Sequence, residues 1–224
     1  MKKITMSPRT VLVGTVVLLG LCLTIIFDAY GKGKGVVSSI RDGRLERLEN
    51  KDWRQMAAAQ EVSMGERLRT DKTAVAVIEF PDVGKFVIGP SSDLELGKDT
   101  KDFKTRIDRG AVWLKSGLPK GSKASITTSI ATAGIRGTSF SMVFGEGEKV
   151  ICVCTCSGDV EATTKSGQKI RVPKGEYLPV SSEGPAPVKS QTSLPLLEKK
   201  GTVFDFCLNC HIVGGKGKLK PDWK

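Results

Sequence analysis

The sequence predicts an all-β domain of short strands, preceded by one N-terminal transmembrane helix and followed by a flexible tail. Three observations predict it. Between residues 36 and 180, short β-rich runs are punctuated by glycine or proline at about eight- to twelve-residue spacing, the pattern of a sandwich, barrel or solenoid. Ahead of them, Val11 to Phe27 is uncharged and apolar. After them, the composition shifts at Ser181 to a stretch rich in serine, proline and lysine.

The chain divides at these boundaries: residues 1–9 as a short cytoplasmic N-terminus, 10–30 as the transmembrane segment, 36–180 as the β-domain, 181–200 as a linker and 201–224 as a tail. As a helix, Val11 to Phe27 spans about 26 Å, and Thr10 or Ala29 extends it toward a hydrocarbon core of about 30 Å. The run is long for a cleaved signal and no A-x-A pattern follows it, so an uncleaved signal anchor is expected. Lys2, Lys3 and Arg9 place its short N-terminal side in the cytoplasm. The expected location is the bacterial inner membrane, single-pass, with the bulk of the chain periplasmic.

Within the β-domain, Ala74 to Phe80 forms the first clear run, closed by a turn at Pro81-Asp82-Val83-Gly84. Lys85 to Ile88 and Leu94 to Leu96 follow, then Ala111 to Ser116, Ser125 to Ala133, Ser139 to Phe144, Lys149 to Cys156, Asp159 to Thr164 and Lys169 to Pro173. A weak helical segment is expected near Asp52 to Gln60. From Ser181 to Lys200 no element is expected.

Cys207-Leu208-Asn209-Cys210-His211 has the C-x-x-C-H spacing at which two thiols attach the vinyl groups of a haem and the next histidine ligates its iron. His211 is the only histidine in the chain. One covalent haem c is therefore the expected cofactor, held by Cys207 and Cys210 with His211 as axial ligand. A CxxC disulfide or half of a zinc site is the competing reading. No second histidine exists for the other axial position, so an open or weakly ligated distal site is expected.

Cys152, Cys154 and Cys156 alternate along one strand and so share one face. They read as buried small hydrophobes, as a thiolate metal site with or without Cys207, Cys210 and His211, or as a redox or haem-facing wall. Disulfides between such same-face neighbours are geometrically strained.

The net charge is +11. For an exported domain this favours acidic envelope partners over nucleic acid, and a merely solvated basic surface is the preferred reading. No nucleophile–base constellation suggests an enzyme.

Several stretches resemble the FecR domain family. Gly65, Leu68 and Thr70 match a G-x-x-L-x-T start that leads through a strand and a Phe-Pro-Asp turn into a second strand. Ile107 to Gly117, Thr132 to Met142 with its G-I-R-G-T-S-F run, Cys154 to Ala162 and Val172 to Val180 resemble the family's later strands. The resemblance implies an all-β, solenoid-like or sandwich-like fold over residues 36–180, and no catalytic residues. Its namesakes relay signals to a sigma factor through a cytoplasmic segment. Only about nine residues precede the apolar run here, so no sigma factor is expected as a partner. The functional expectation is a membrane-anchored periplasmic protein with one haem c, acting in electron transfer or in redox or ligand sensing, with a redox or envelope protein as partner. The alternative is a structural or interaction module of the envelope whose CxxCH is a metal site or inert.

Overall fold

A single bent strand organises the molecule. In the computed structural model, which describes residues 33–135, 139–145, 149–183, 189–191 and 206, sixteen strands are present and the longest is β9, Asp102–Ser116. It bends at Gly110, whose φ of +93° a side chain rarely adopts, and whose added Cβ would lie 2.3 Å from the Ser92 Cα. Glycine is required there by both backbone and space. Before the bend β9 pairs with one set of strands, and after it with another, so two sheets share it.

The first sheet runs β4 (Glu61–Ser63), β1 (Lys34–Arg41), β6 (Val75–Phe80), β7 (Gly84–Ile88), the second half of β9, β12 (Ser139–Gly145), β13 (Val150–Ser157) and β16 (Tyr177–Ser181). The second runs β3 (Asp52–Gln55), β2 (Leu45–Glu49), β5 (Arg67–Thr70), β8 (Asp93–Glu95), the first half of β9, β10 (Lys123–Thr127), β11 (Ala131–Ile135), β14 (Asp159–Thr164) and β15 (Lys169–Pro173). All pairs are antiparallel except β9 with β10. The predicted all-β class is the observed one.

The inner faces pack on one another. Ile78, Phe86, Ile88, Leu114, Phe140, Met142 and Val153 from the first sheet meet Leu68, Leu94, Phe103, Ile107, Ile126 and Val172 from the second in one apolar core. Phe103 stacks edge-on to Phe86 at 6.1 Å between centroids, an arrangement that favours aromatic contact beyond simple burial. The outer face of the second sheet is polar and laced with ion pairs, among them Arg67 with Asp93 and Asp108 at 2.9 and 2.8 Å and Arg69 with Glu46 at 2.6 Å. The outer face of the first sheet is different, and it carries the site.

Two expectations change. The segment near Asp52 to Gln60 is not helical: Asp52–Gln55 pairs with Leu45–Glu49 as a hairpin. Asn50 and Lys51 sit at φ of +49° and +77° in its two-residue turn, the left-handed pair that matches strand twist, and Arg69 stacks on Trp53 at 4.2 Å. The predicted strand from Ser125 to Ala133 is two strands, β10 and β11. The Thr128 hydroxyl accepts the Ile130 and Ala131 amides at 3.1 Å each and closes the turn between them.

Candidate functional site

A strand that is apolar on one side only can leave its other side to water. β13 is not such a strand: Ile151 to Cys156 is buried throughout. Ile151 and Val153 enter the inter-sheet core, while Cys152, Cys154 and Cys156 point to the opposite side, as their alternation predicts. There they join a second apolar layer with Val77, Val87, Ala111, Trp113, Val143 and Tyr177 from β6, β7, β9, β12 and β16. Cross-strand register sets its rows. Val87 lies opposite Trp113, Trp113 opposite Ser141, Ser141 opposite Cys154 and Cys154 opposite Tyr177. In the next row Ala111 lies opposite Val143 and Val143 opposite Cys152. The Cys152 and Cys154 sulfurs approach to 3.4 Å, well beyond a disulfide bond length of about 2.0 Å.

The tenth member of this layer is Phe206, only 2% exposed. It immediately precedes Cys207. Its ring lies over Gly89 and Ala111: a Cβ built on Gly89 would stand 2.6 Å from the Phe206 Cδ2 and 3.0 Å from the Ala111 Cβ. Gly89 keeps its backbone bond, donating to the Ala111 carbonyl at 2.7 Å, so the missing side chain leaves space without breaking the ladder. A second fixed point of the C-terminal segment is Gln191, which exchanges two 2.8 Å backbone hydrogen bonds with Tyr177 of β16. Gln191 at β16 and Phe206 over β7 and β9 therefore bracket the cysteine strand.

The seat is held from below by a buried polar knot. Thr70 donates to the Gly89 carbonyl at 2.6 Å and accepts the Ser92 amide at 2.9 Å. Ser92 in turn donates to the carbonyls of Gly89 and Ala111 at 2.8 and 3.1 Å and accepts the Ala111 amide at 2.9 Å. Buried hydroxyls with every partner satisfied fix backbone position strongly. Beside the knot, Asp71 accepts the amides of Arg44, Thr73 and Ala74 at 2.9, 3.2 and 2.9 Å. Desolvation acts to raise its carboxyl, but these amide bonds outweigh it and hold the group below its ordinary value.

Of the residues singled out in the sequence, Cys152, Cys154 and Cys156 share this outer layer. Cys207, Cys210 and His211 lie outside the described residues, as do the apolar run Val11 to Phe27 and the central Arg136, Gly137 and Thr138 of the FecR-like stretch. Among the described residues no helix is long and apolar enough to cross a membrane. Nor, among them, is any group of three or more His, Cys, Asp or Glu side chains arranged to hold a metal ion. A separate surface depression of about 400 Å³ is lined by Glu95, Lys98, Asp99, Asp102, Lys104 and Arg106. Lys98 pairs with Glu95 and Lys104 with Asp102 there, so its charges are largely matched.

Sequence reasoning missed Phe206, Gly89 and Trp113. The readable signal was the two-sided apolar character of Ala111 to Leu114 and Val150 to Cys156, because strands apolar on both faces need cover on both.

A β-sandwich with one polar outer face and one apolar, buried outer layer is the class that this geometry defines. Residues 66–161, a little under half of the chain, match the family model described as FecR protein. No curated protein matches the sequence. Two crystal structures of a candidate anti-sigma factor from Parabacteroides distasonis, at 2.50 and 1.65 Å resolution, are similar at 14% identity with a TM-score of 0.48 each. The likeness covers 53% of this chain and 56% or 57% of those chains, little more than half of either. The FecR match overturns the expectation that no sigma factor is a partner. The number of residues ahead of the apolar run is no ground against it.

Proposed function

We propose that this chain is a membrane-anchored, FecR-like envelope protein that carries one covalently attached haem c and serves redox or ligand sensing rather than catalysis. The observation that carries the reading is the burial of Phe206, the residue next to Cys207, in the layer that holds Cys152, Cys154 and Cys156. Phe206, the residue before the C-x-x-C-H run in sequence, thus packs on an apolar, water-excluded layer of the β-domain. The buried members of that layer are apolar side chains and thiols, which suits a flat, largely apolar macrocycle. Cys207 and Cys210 would hold the group and His211 would ligate its iron; when bound, the group supplies one-electron chemistry and a site for small ligands.

The β-domain's own part is to position and to exclude water. Phe206 fills the gap over Gly89, the Thr70–Ser92 knot fixes that gap, and Trp113, Val143 and Tyr177 keep the surrounding layer dry. A change at the tail is then felt first at β7 and β9, beside which Phe206 sits. The FecR match supports a regulatory output, with a sigma-factor system as its natural class. Electron transfer to an envelope partner is the simpler use of the same arrangement.

The test is expression of the full chain in a bacterium that matures c-type cytochromes. Haem-linked peroxidase staining should persist after denaturing electrophoresis and vanish in Cys207→Ala/Cys210→Ala, with the wild-type protein retained in carbonate-washed membranes. An unstained band would overturn the haem reading and leave an envelope interaction module. Release into the soluble fraction would overturn the anchor.

A further inference from the structure

The ends of a sheet expose main-chain amides and carbonyls unless something pairs or covers them. Both ends of the first sheet are capped. At β4 the Arg47 guanidinium donates to the Glu61 carbonyl at 3.1 Å, and the Glu66 amide donates to the Ser63 carbonyl at 3.3 Å. At β16 Gln191 pairs with Tyr177 through two backbone hydrogen bonds, and Pro179, two residues on, has no amide to offer. The second sheet ends in β3 and β15, and among the described residues neither has a further strand beside it. On β3 the side chains of Asp52, Arg54 and Gln55 are exposed, so an added strand would find no apolar row to extend.

β15 is built differently. The Thr164 amide donates to the Gln168 carbonyl at 2.9 Å, and hydrogen-bonded pairs alternate along an antiparallel ladder. Ile170 and Val172 therefore bond to Ala162 and Val160 of β14, while Lys169 and Arg171 turn their amides and carbonyls away from the sheet. On the inner side Ile170 and Val172 belong to the inter-sheet core. On the outer side the Lys169 and Arg171 side chains are 67% and 73% exposed. From Lys165 to Lys174 the chain carries four exposed basic side chains, Lys165, Lys169, Arg171 and Lys174, and no acidic one. Lys169 pairs with Glu161 at 3.0 Å and Arg171 with Asp159 at 2.6 Å. Exposed pairs of this kind are weak, and they leave the bases open to a second acid on the free side. The same charge turns away a second copy. In a two-fold pairing of two β15 edges, Lys169 of one copy would stand opposite Arg171 of the other, and like charges directly opposite destabilise a sheet.

We propose that the free edge of β15 receives an extended acidic segment of a partner protein, which adds to the second sheet as a further strand. Its main chain pairs with Lys169 and Arg171, and its alternate carboxylates stand beside their side chains. The residues between those carboxylates are apolar and continue the row of Ile170 and Val172. Pro173 closes the docking stretch, since it offers no amide. This surface does not depend on the haem reading.

The probe is a fluorescently labelled synthetic peptide in which glutamate and valine alternate, titrated against the full-length protein in detergent by fluorescence anisotropy. It should bind saturably, and hydrogen–deuterium exchange should slow over Lys169 to Arg171 when it does. Lys169→Glu/Arg171→Glu should weaken binding roughly tenfold or more, because two favourable cross-strand pairs become unfavourable. The same peptide N-methylated on alternate amides keeps its charge but cannot pair with the edge, and it should bind the wild type as poorly. Absence of saturable binding, equal binding of the N-methylated peptide, or exchange slowed at β3 and not at β15 overturns the inference. So does a dimer of the protein alone in which the Lys169 and Arg171 amides are protected, since a second copy then occupies the edge.

Discussion

The Phe206 ring occupies the space that a side chain on Gly89 would need, with its Cδ2 2.6 Å from the position of the missing Cβ. This contact ties the end of the chain to strands that the sequence places more than a hundred residues earlier. Gly89→Leu should therefore unseat Phe206 while leaving the inter-sheet core intact. Limited proteolysis read by mass spectrometry should show cleavage after Gln191 at least several-fold faster than in the wild type, with the β-domain itself resistant. Equal cleavage rates would mean that Gly89 does not hold the tail.

Thr70 should matter for stability out of proportion to its size. Thr70→Val keeps the shape but leaves the Ser92 amide without its partner and the Gly89 carbonyl with the Ser92 hydroxyl alone. Orphaning buried polar groups costs about 1–3 kcal/mol. Urea unfolding should show a midpoint lowered accordingly at unchanged slope, and a midpoint within error of wild type would contradict the knot's role.

Asp71 predicts a pH dependence with a definite sign. Its carboxyl is held below its ordinary value in the folded protein, so the folded state favours the charged form. The stability it contributes is fully present above the unfolded-state value and is lost as pH falls through the lower, folded value. Asp71→Asn should flatten this acid limb of the stability profile relative to wild type. Parallel profiles for the two proteins would remove Asp71 from the account.

A fragment spanning residues 33–183 should fold cooperatively without haem, because the strands from Lys34 to Ser181 complete both sheets. Lacking Phe206, it should bind a hydrophobic dye more strongly than the full chain, since the layer around Trp113 and Tyr177 loses that cover. Aggregation or a non-cooperative melt under reducing conditions would show that the tail is needed for folding.

The strands from Val75 onward were legible because turns rich in glycine or proline separate apolar runs. The earlier ones were not. β2 reads Leu-Glu-Arg-Leu-Glu without clear alternation, and its hairpin turn uses Asn50-Lys51, with no glycine to announce it. Only the second half of β9 was recognised. Its first half carries Thr105 on the buried side and Lys104, Arg106 and Asp108 on the other, so charge density hid a regular alternation. The C-x-x-C-H spacing was visible in the sequence, and so was the shared face of the three β13 cysteines. The seat was invisible, because Gly89 acts there by what it lacks and Phe206 stands one residue outside the motif.

The central claim is that Cys207 and Cys210, in the run that follows Phe206, carry a haem. Peptide mass spectrometry of the full chain, matured in a host that makes c-type cytochromes, tests it most directly. The peptide containing Phe206 to His211 should carry the mass of one haem through both cysteines, with Cys152, Cys154 and Cys156 on unmodified peptides. The same peptide recovered bare, or joined by disulfide to the Cys152–Cys156 peptide, would contradict the account.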